Sequence, residues 1–284
     1  MSLSFAAAGG AGPVFGSPMF VMLSISTALA LLAYLLAAYL STERQQWLRA
    51  CLLTGWLLHA VAIVVDIFGL GVREHGPRFG FAPALSVTVW LVLAVYLIES
   101  RFLPLHGSRR AMALLGAAAV LLACLFPGEV HRLVTSRWAP LHWLLGIASY
   151  GLFGAAVLHA TLLNRADRQM RLKLHTPNPQ PTGLPLLRLE RLTFRFVEAG
   201  FISLTAAIAL GWWFAIPWRW DHKAIFSVLG WLVFAGLLAG RRAFGWRGPN
   251  ATRWLYVGAV LLLLAYVGSR FVLEVLLKRP LSAP

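Results

Sequence analysis

Five tryptophans crowd the 21 residues from Gly211 to Trp231, GWWFAIPWRWDHKAIFSVLGW, together with Arg219, Asp221 and Lys223. Indole faces beside cations suit a large, flat, anionic ligand: the rings stack and the cations meet carboxylates. The same rings also suit the headgroup level of a membrane. That simpler reading covers Trp212, Trp213 and Trp231, and fits the compact Trp218-Arg219-Trp220-Asp221 less well. Histidine is the second residue type of interest, because a neutral imidazole nitrogen is the commonest side-chain metal ligand. Of the eight histidines, His75, His106, His131, His175 and His222 fall between apolar runs, where solvation explains them. His159 reads as packing or as a hydrogen bond across helices.

Two histidines remain. His142 opens an apolar run, and on an α-helix residues 142, 146 and 149 share one face. His142, Gly146 and Ser149 would then line one groove, with Gly146 letting a flat ligand approach; anchoring at the interface is the alternative. His59 falls midway along another run, at a depth where a polar group usually faces the bundle interior. Asp66 follows on the same face, and functional and packing readings both fit. Arg270 stands four residues before Glu274, so the two read as an intrahelical ion pair, or Arg270 meets a carboxylate of the ligand.

The elements that must position these residues are membrane helices. The chain of 284 residues is 59% hydrophobic and 12% charged, about half the charge of a soluble domain. Apolar runs at roughly 18–41, 50–71, 82–98, 111–127, 141–163, 193–216, 224–240 and 254–277 each suffice for a span, and only helices satisfy their own backbone in lipid. The expected fold is all-α: a polytopic integral membrane bundle of about eight transmembrane helices, forming a single domain over 1–284. The net charge of +15 reads as cations gathered in cytoplasmic loops, not as a nucleic-acid surface. The segments 42–49, 99–110, 164–195 and 241–253 hold 2, 3, 7 and 4 Lys and Arg, and 72–81, 128–140 and 217–223 hold two each. That bias puts the first set in the cytoplasm and both termini outside. The N-terminal stretch has no basic residue, so it reads as an uncharged tail and not as a signal peptide. Leu186–Leu192 alternates apolar and charged residues, and either lies on the membrane surface or extends the sixth helix. Cys51 and Cys124 form no CxxC or CxxCH, which argues against thiol-disulfide chemistry and covalent haem. Their positions near opposite membrane faces predict that they do not pair. No P-loop, HExxH or nucleophile elbow is present, so no enzyme activity is expected.

The Trp-rich stretch resembles the WWD segment of the cytochrome c assembly proteins, which handle haem at the outer face of the membrane. The family pattern runs W-G-x-x-W-x-W-D-P-K-E, with a further Trp eight residues after the Lys. Trp218, Trp220, Asp221, Lys223 and Trp231 fall on it; Phe214-Ala215, His222 and Ala224 depart from it. His142 to Tyr150, HWLLGIASY, is similar to the family helix that begins with His and carries Ser-Tyr seven and eight residues later. Gly245-Trp246-Arg247-Gly248 resembles its short basic loop, and Leu184 to Gly211 the helix entry of a divergent HemX-like inner-membrane branch. The resemblance covers roughly 47–275. It implies a multi-pass protein of the bacterial inner membrane that binds haem b without a covalent bond. It also implies His142 as the outward-facing haem ligand, Trp218 and Trp220 as stacking rings, and a histidine at the depth of His59. The expected partners are membrane lipids, with cytochrome c maturation proteins or another membrane protein. Full members carry a second outward histidine near the last helix, where this chain reads Gly268-Ser269-Arg270, and a membrane histidine where it reads Ala239-Gly240. An accessory or regulatory subunit that has lost haem handling is therefore the alternative.

Overall fold

The computed structural model describes residues 18–40, 45–68, 78–102, 108–130, 137–171, 186–214, 220–272 and 275. They form eight long helices: α1 (Pro18–Tyr39), α2 (Gln45–Phe68), α3 (Phe81–Glu99), α4 (Arg109–Leu125), α5 (Ala139–Arg171), α6 (Leu186–Phe214), α7 (His222–Phe244) and α8 (Gly248–Leu263). After α8 the chain passes through a π-turn (Leu264–Gly268) and a last α-turn (Ser269–Phe271). Two dipeptides, β1 (Arg78–Phe79) and β2 (Glu129–Val130), pair antiparallel.

Seven helices are long and apolar enough to cross a membrane. The eighth, α4, has 17 residues, about 26 Å at 1.5 Å per residue and the lower limit for a span. Its neighbours show that it nonetheless runs the length of the bundle. At its start Arg110 lies over the ring of Tyr39, the last residue of α1. Past its end, β2 pairs with β1 just ahead of α3, and Phe126 packs on Phe81. The eight helices thus alternate in direction along the bundle, as expected for a polytopic membrane protein.

The core divides into two halves. The first centres on Tyr34, Leu52, Val92, Leu93, Ala113 and Val120 from α1–α4. The second centres on Phe153, Val197, Leu204, Phe234, Leu237 and Leu262 from α5–α8, with Phe153 and Phe234 stacked at 3.9 Å. The halves meet along α3 and α5, where Gly154 brings the α5 backbone against Val92. Across the same seam, His159 Nε2 is bonded to Glu99 Oε2 at 2.6 Å. The packing reading of His159 accounts for its full burial.

Charged contacts gather at one end. Arg241 of α7 donates to Glu190 of α6 at 3.0 Å, and Arg242 lies 3.7 Å from Glu198. Glu190 sits in the segment whose placement was open. That segment is the first turns of α6, with Leu189 buried in the bundle. Gly245 closes α7 in the left-handed conformation (φ 65°), which a residue with a Cβ rarely adopts. The loop 245–247 then reverses into α8. Both cysteines are free thiols. If the cation-rich end is cytoplasmic, a periplasm-only reporter fused after residue 175 will be silent and one within 217–223 active; the reverse pattern would invert the topology.

His59 is buried in the first half (1% exposed). Its Nδ1 is 3.1 Å from the Tyr34 hydroxyl and its Nε2 is 2.8 Å from Ser86 Oγ, so one ring joins α1, α2 and α3. Replacing it with Leu leaves two buried hydroxyls short of a partner, at about 1–3 kcal/mol each. The expected result is a marked fall in the melting temperature of the detergent-solubilised protein, without loss of any ligand held by the second half.

Candidate functional site

A cavity of about 180 Å³ opens at the end of the bundle opposite the cation cluster, where α5 begins, α6 ends, α7 begins and the π-turn follows α8. His142, Gly146, Ser149 and Tyr150 supply one wall. The α-helical repeat alone puts them on one face. His142 Nδ1 is 2.9 Å from the Ala207 carbonyl of α6. A carbonyl can only accept, so Nδ1 carries the proton and Nε2 the lone pair. A backbone carbonyl fixing one ring nitrogen is a recurrent way of preparing the other for a metal. Gly211, first residue of the Trp-rich stretch, makes room for the ring: a Cβ there would lie 3.0 Å from His142 Cε1. Over Gly146 the space is open: among the described residues, no neighbouring atom outside its own helical turn lies within 4 Å of where a Cβ would stand.

The facing wall carries two cations. Asp221 caps α7, its Oδ1 accepting from the Ala224 amide at 2.8 Å. With the helix start fixed there, Lys223 falls in the first turn and lines the cavity with Ser227 one turn on. Lys223 Nζ lies 5.4 Å and Arg270 Cζ 5.7 Å from the centre of the Tyr266 ring, so one aromatic ring holds both cations at the same wall. Tyr266 and Arg270 come from the π-turn and the helical turn after it. The cause of the π-turn is Tyr150. Its hydroxyl donates to the Leu262 carbonyl, the acceptor that the Tyr266 amide would use in a regular α-helix. It thus stands where the 262–266 backbone bond of a regular helix would be, and an inserted side chain is a known cause of such a defect.

The other residues singled out from the sequence fall as follows. Asp221 is the cap of α7 and does not line the cavity. Trp231 packs on Phe201 at 5.5 Å and donates to Thr205 Oγ1 at 2.8 Å, pinning α7 to α6. Trp220 is 68% exposed beside the mouth, and Trp212 and Trp213 face outward as an interfacial belt would. His59 lies in the other half, with both ring nitrogens hydrogen-bonded. Trp218 lies outside the described residues, as do Arg219 and Glu274. Sequence reasoning missed Tyr266 and the work done by Tyr150. Tyr150 stood in the quoted helix motif, but nothing in the spacing shows that its hydroxyl reaches α8.

The family model described as "Cytochrome C assembly protein" matches residues 12–277, a region that contains every wall of this cavity. The chain belongs to the cytochrome c assembly protein family. It is 27% identical over 274 residues to the inner membrane protein YpjD of Escherichia coli (strain K12), covering 93% of this chain and 99% of that protein. It is 29% identical over 230 residues to the cytochrome c biogenesis protein CcsA of Synechococcus sp. (strain CC9311), covering 77% and 70% respectively. A second Synechococcus CcsA (strain JA-3-3Ab) is 32% identical over 123 residues, covering 39% and 36%. With seven candidate spans and this kinship, the chain is a multi-pass inner membrane protein. In Trp220-Asp221-His222-Lys223 the Asp starts α7 and the Lys, two residues on, reaches the cavity.

Proposed function

We propose that this protein binds haem b non-covalently in the cavity beside His142, as a binding and handover device for cytochrome c assembly with no catalytic chemistry of its own. The observation that carries the reading is the His142–Ala207 bond, which prepares an imidazole nitrogen for a metal at the wall of a largely apolar cavity with two cations opposite. The residues present suit the group. Gly146 leaves flat space against the α5 backbone, and Lys223 and Arg270 offer two cations for two propionates. Haem would supply an iron that takes an axial nitrogen and a porphyrin face that buries apolar surface. The chain's own part is to hold His142 in one tautomer, keep two cations at one side, and leave Trp220 at the mouth. Handover of the bound group would be made to cytochrome c maturation proteins.

The reading is tested by titrating the purified protein with ferric haem and following the Soret band. The double variant Lys223→Gln/Arg270→Gln should bind about tenfold or more weakly, since each charged hydrogen bond contributes about 1.5–3 kcal/mol. Its Soret maximum should stay in place because the iron ligand is intact. Arg253→Gln, at the other end of the bundle, should bind as wild type. Equal affinity in all three would remove the cations from the site. A second reading is an accessory subunit that has lost haem handling. It is favoured by the presence of a single imidazole among the cavity's lining residues, and a wild-type protein without a Soret band would put it in front.

A further inference from the structure

At the cation-rich end, a small cleft separates the start of α2 from the end of α3 and the start of α4. It is lined by Gln45, Arg49, Leu52, Tyr96, Ser100 and Arg109, with about 30 Å³ of space inside. A water needs about 10–15 Å³ on this measure, so the cleft holds a few small polar atoms. Arg49 spends one nitrogen on the Ser100 carbonyl, at a long 3.4 Å. Arg109 has its Nε buried with no acceptor, a costly state for a charged donor. The Tyr96 hydroxyl lies within electrostatic reach of both guanidinium groups. No carboxylate among the described residues answers them: Glu99, ten residues before Arg109, is bonded to His159, and no described ion pair includes Arg49 or Arg109. Arg110 beside them is turned the other way, onto Tyr39. Two forked cations, a phenol and a buried donor without an acceptor describe a place for an anion with several oxygens, and guanidinium forks match phosphate.

We propose that this cleft binds a phosphate group, held by Arg49 and Arg109 with Gln45 and Tyr96 as neutral partners. Its position suits a phospholipid head. Basic pockets between membrane helices on the cytoplasmic side take anionic headgroups, and Leu52 and Leu97 line the same cleft where a lipid's apolar part would continue. A soluble phosphate compound would offer the same oxygens without the chain. The site is separate from the cavity at His142, which shares none of these residues, so it stands or falls independently of the haem reading.

The test uses full-length protein, delipidated in neutral detergent, with native mass spectrometry counting bound molecules. Three probes are added in turn: phosphatidylglycerol, phosphatidylcholine and inorganic phosphate. The expected result is one retained phosphatidylglycerol on wild type, about tenfold weaker retention on Arg49→Gln/Arg109→Gln, and no loss on Arg101→Gln. Phosphatidylcholine, whose head carries a compensating cation, should be retained weakly. Adduct formation by inorganic phosphate at comparable affinity, lost in the same double variant, would support the site and make the free anion its occupant. Arg109→Lys guards against misfolding, because it keeps the charge and removes the fork; it should melt as wild type and still retain less. Equal retention by wild type and the double variant with both anionic probes would overturn the proposal, as would equal retention of both lipids.

Discussion

Gly146→Leu should abolish haem retention while leaving the protein as stable as wild type, or slightly more so. The two effects have separate causes. A Cβ at this position meets no packing neighbour within 4 Å among the described residues, so the substitution enters space and not packing. Glycine inside a helix also costs about 0.5–1 kcal/mol relative to a residue with a side chain, so the helix gains. The isobutyl group, however, projects into the cavity one turn from His142. A flat ligand lying against α5 would lose its place, with a fall in affinity of well over about tenfold, or 1.4 kcal/mol. Gly154→Leu is the contrasting case. Its Cβ would lie 2.6 Å from Val92 Cγ2, and overpacking of this kind costs about 1–3 kcal/mol. That variant should melt early. Binding titrations and melting curves on the two proteins together check both halves of the expectation. If Gly146→Leu binds haem as wild type does, the ligand does not lie on this face.

His142→Gly should have the second large effect, and one that can be reversed. Removing a ligand should cost at least the factor of about 10–100 that loss of an outer-sphere partner costs at a metal site. The Soret band should weaken and move. The glycine leaves a gap about the size of the lost ring, and the Ala207 carbonyl that held Nδ1 stays in place. Added imidazole should therefore enter the gap and restore the wild-type maximum. A purely structural His142 would show loss of stability, no spectral shift and no rescue.

Much of the architecture was legible in the apolar runs, because spans of about 20 residues leave little choice in lipid. The run at 111–127 gave α4 correctly, although α4 is one of the shortest helices that can cross. The face shared by His142, Gly146 and Ser149 was also legible, since helical periodicity needs no tertiary information. What could not be read were contacts made across helices. One local role was also missed: Asp221 looked like part of a ligand surface because it sits between two tryptophans and a lysine, and the geometry makes it the cap of α7. His59 gave no sign that Tyr34 and Ser86, 25 and 27 residues away, would meet its two nitrogens. Arg270 read either as a partner for Glu274 or as a contact for a carboxylate of the ligand, with nothing local to choose between them. The π-turn that brings Arg270 to the cavity depends on Tyr150, a residue 120 positions earlier that no local pattern connects to it.

The most direct measurement is the absorption spectrum of the purified wild-type protein through a titration with ferric haem, with Gly146→Leu run beside it. A haem site at His142 predicts a Soret band that saturates at one haem per chain in the wild type and stays at the position of detergent-dispersed haem in the variant. A wild-type titration that never departs from the detergent blank, or one that both proteins follow alike, would contradict it.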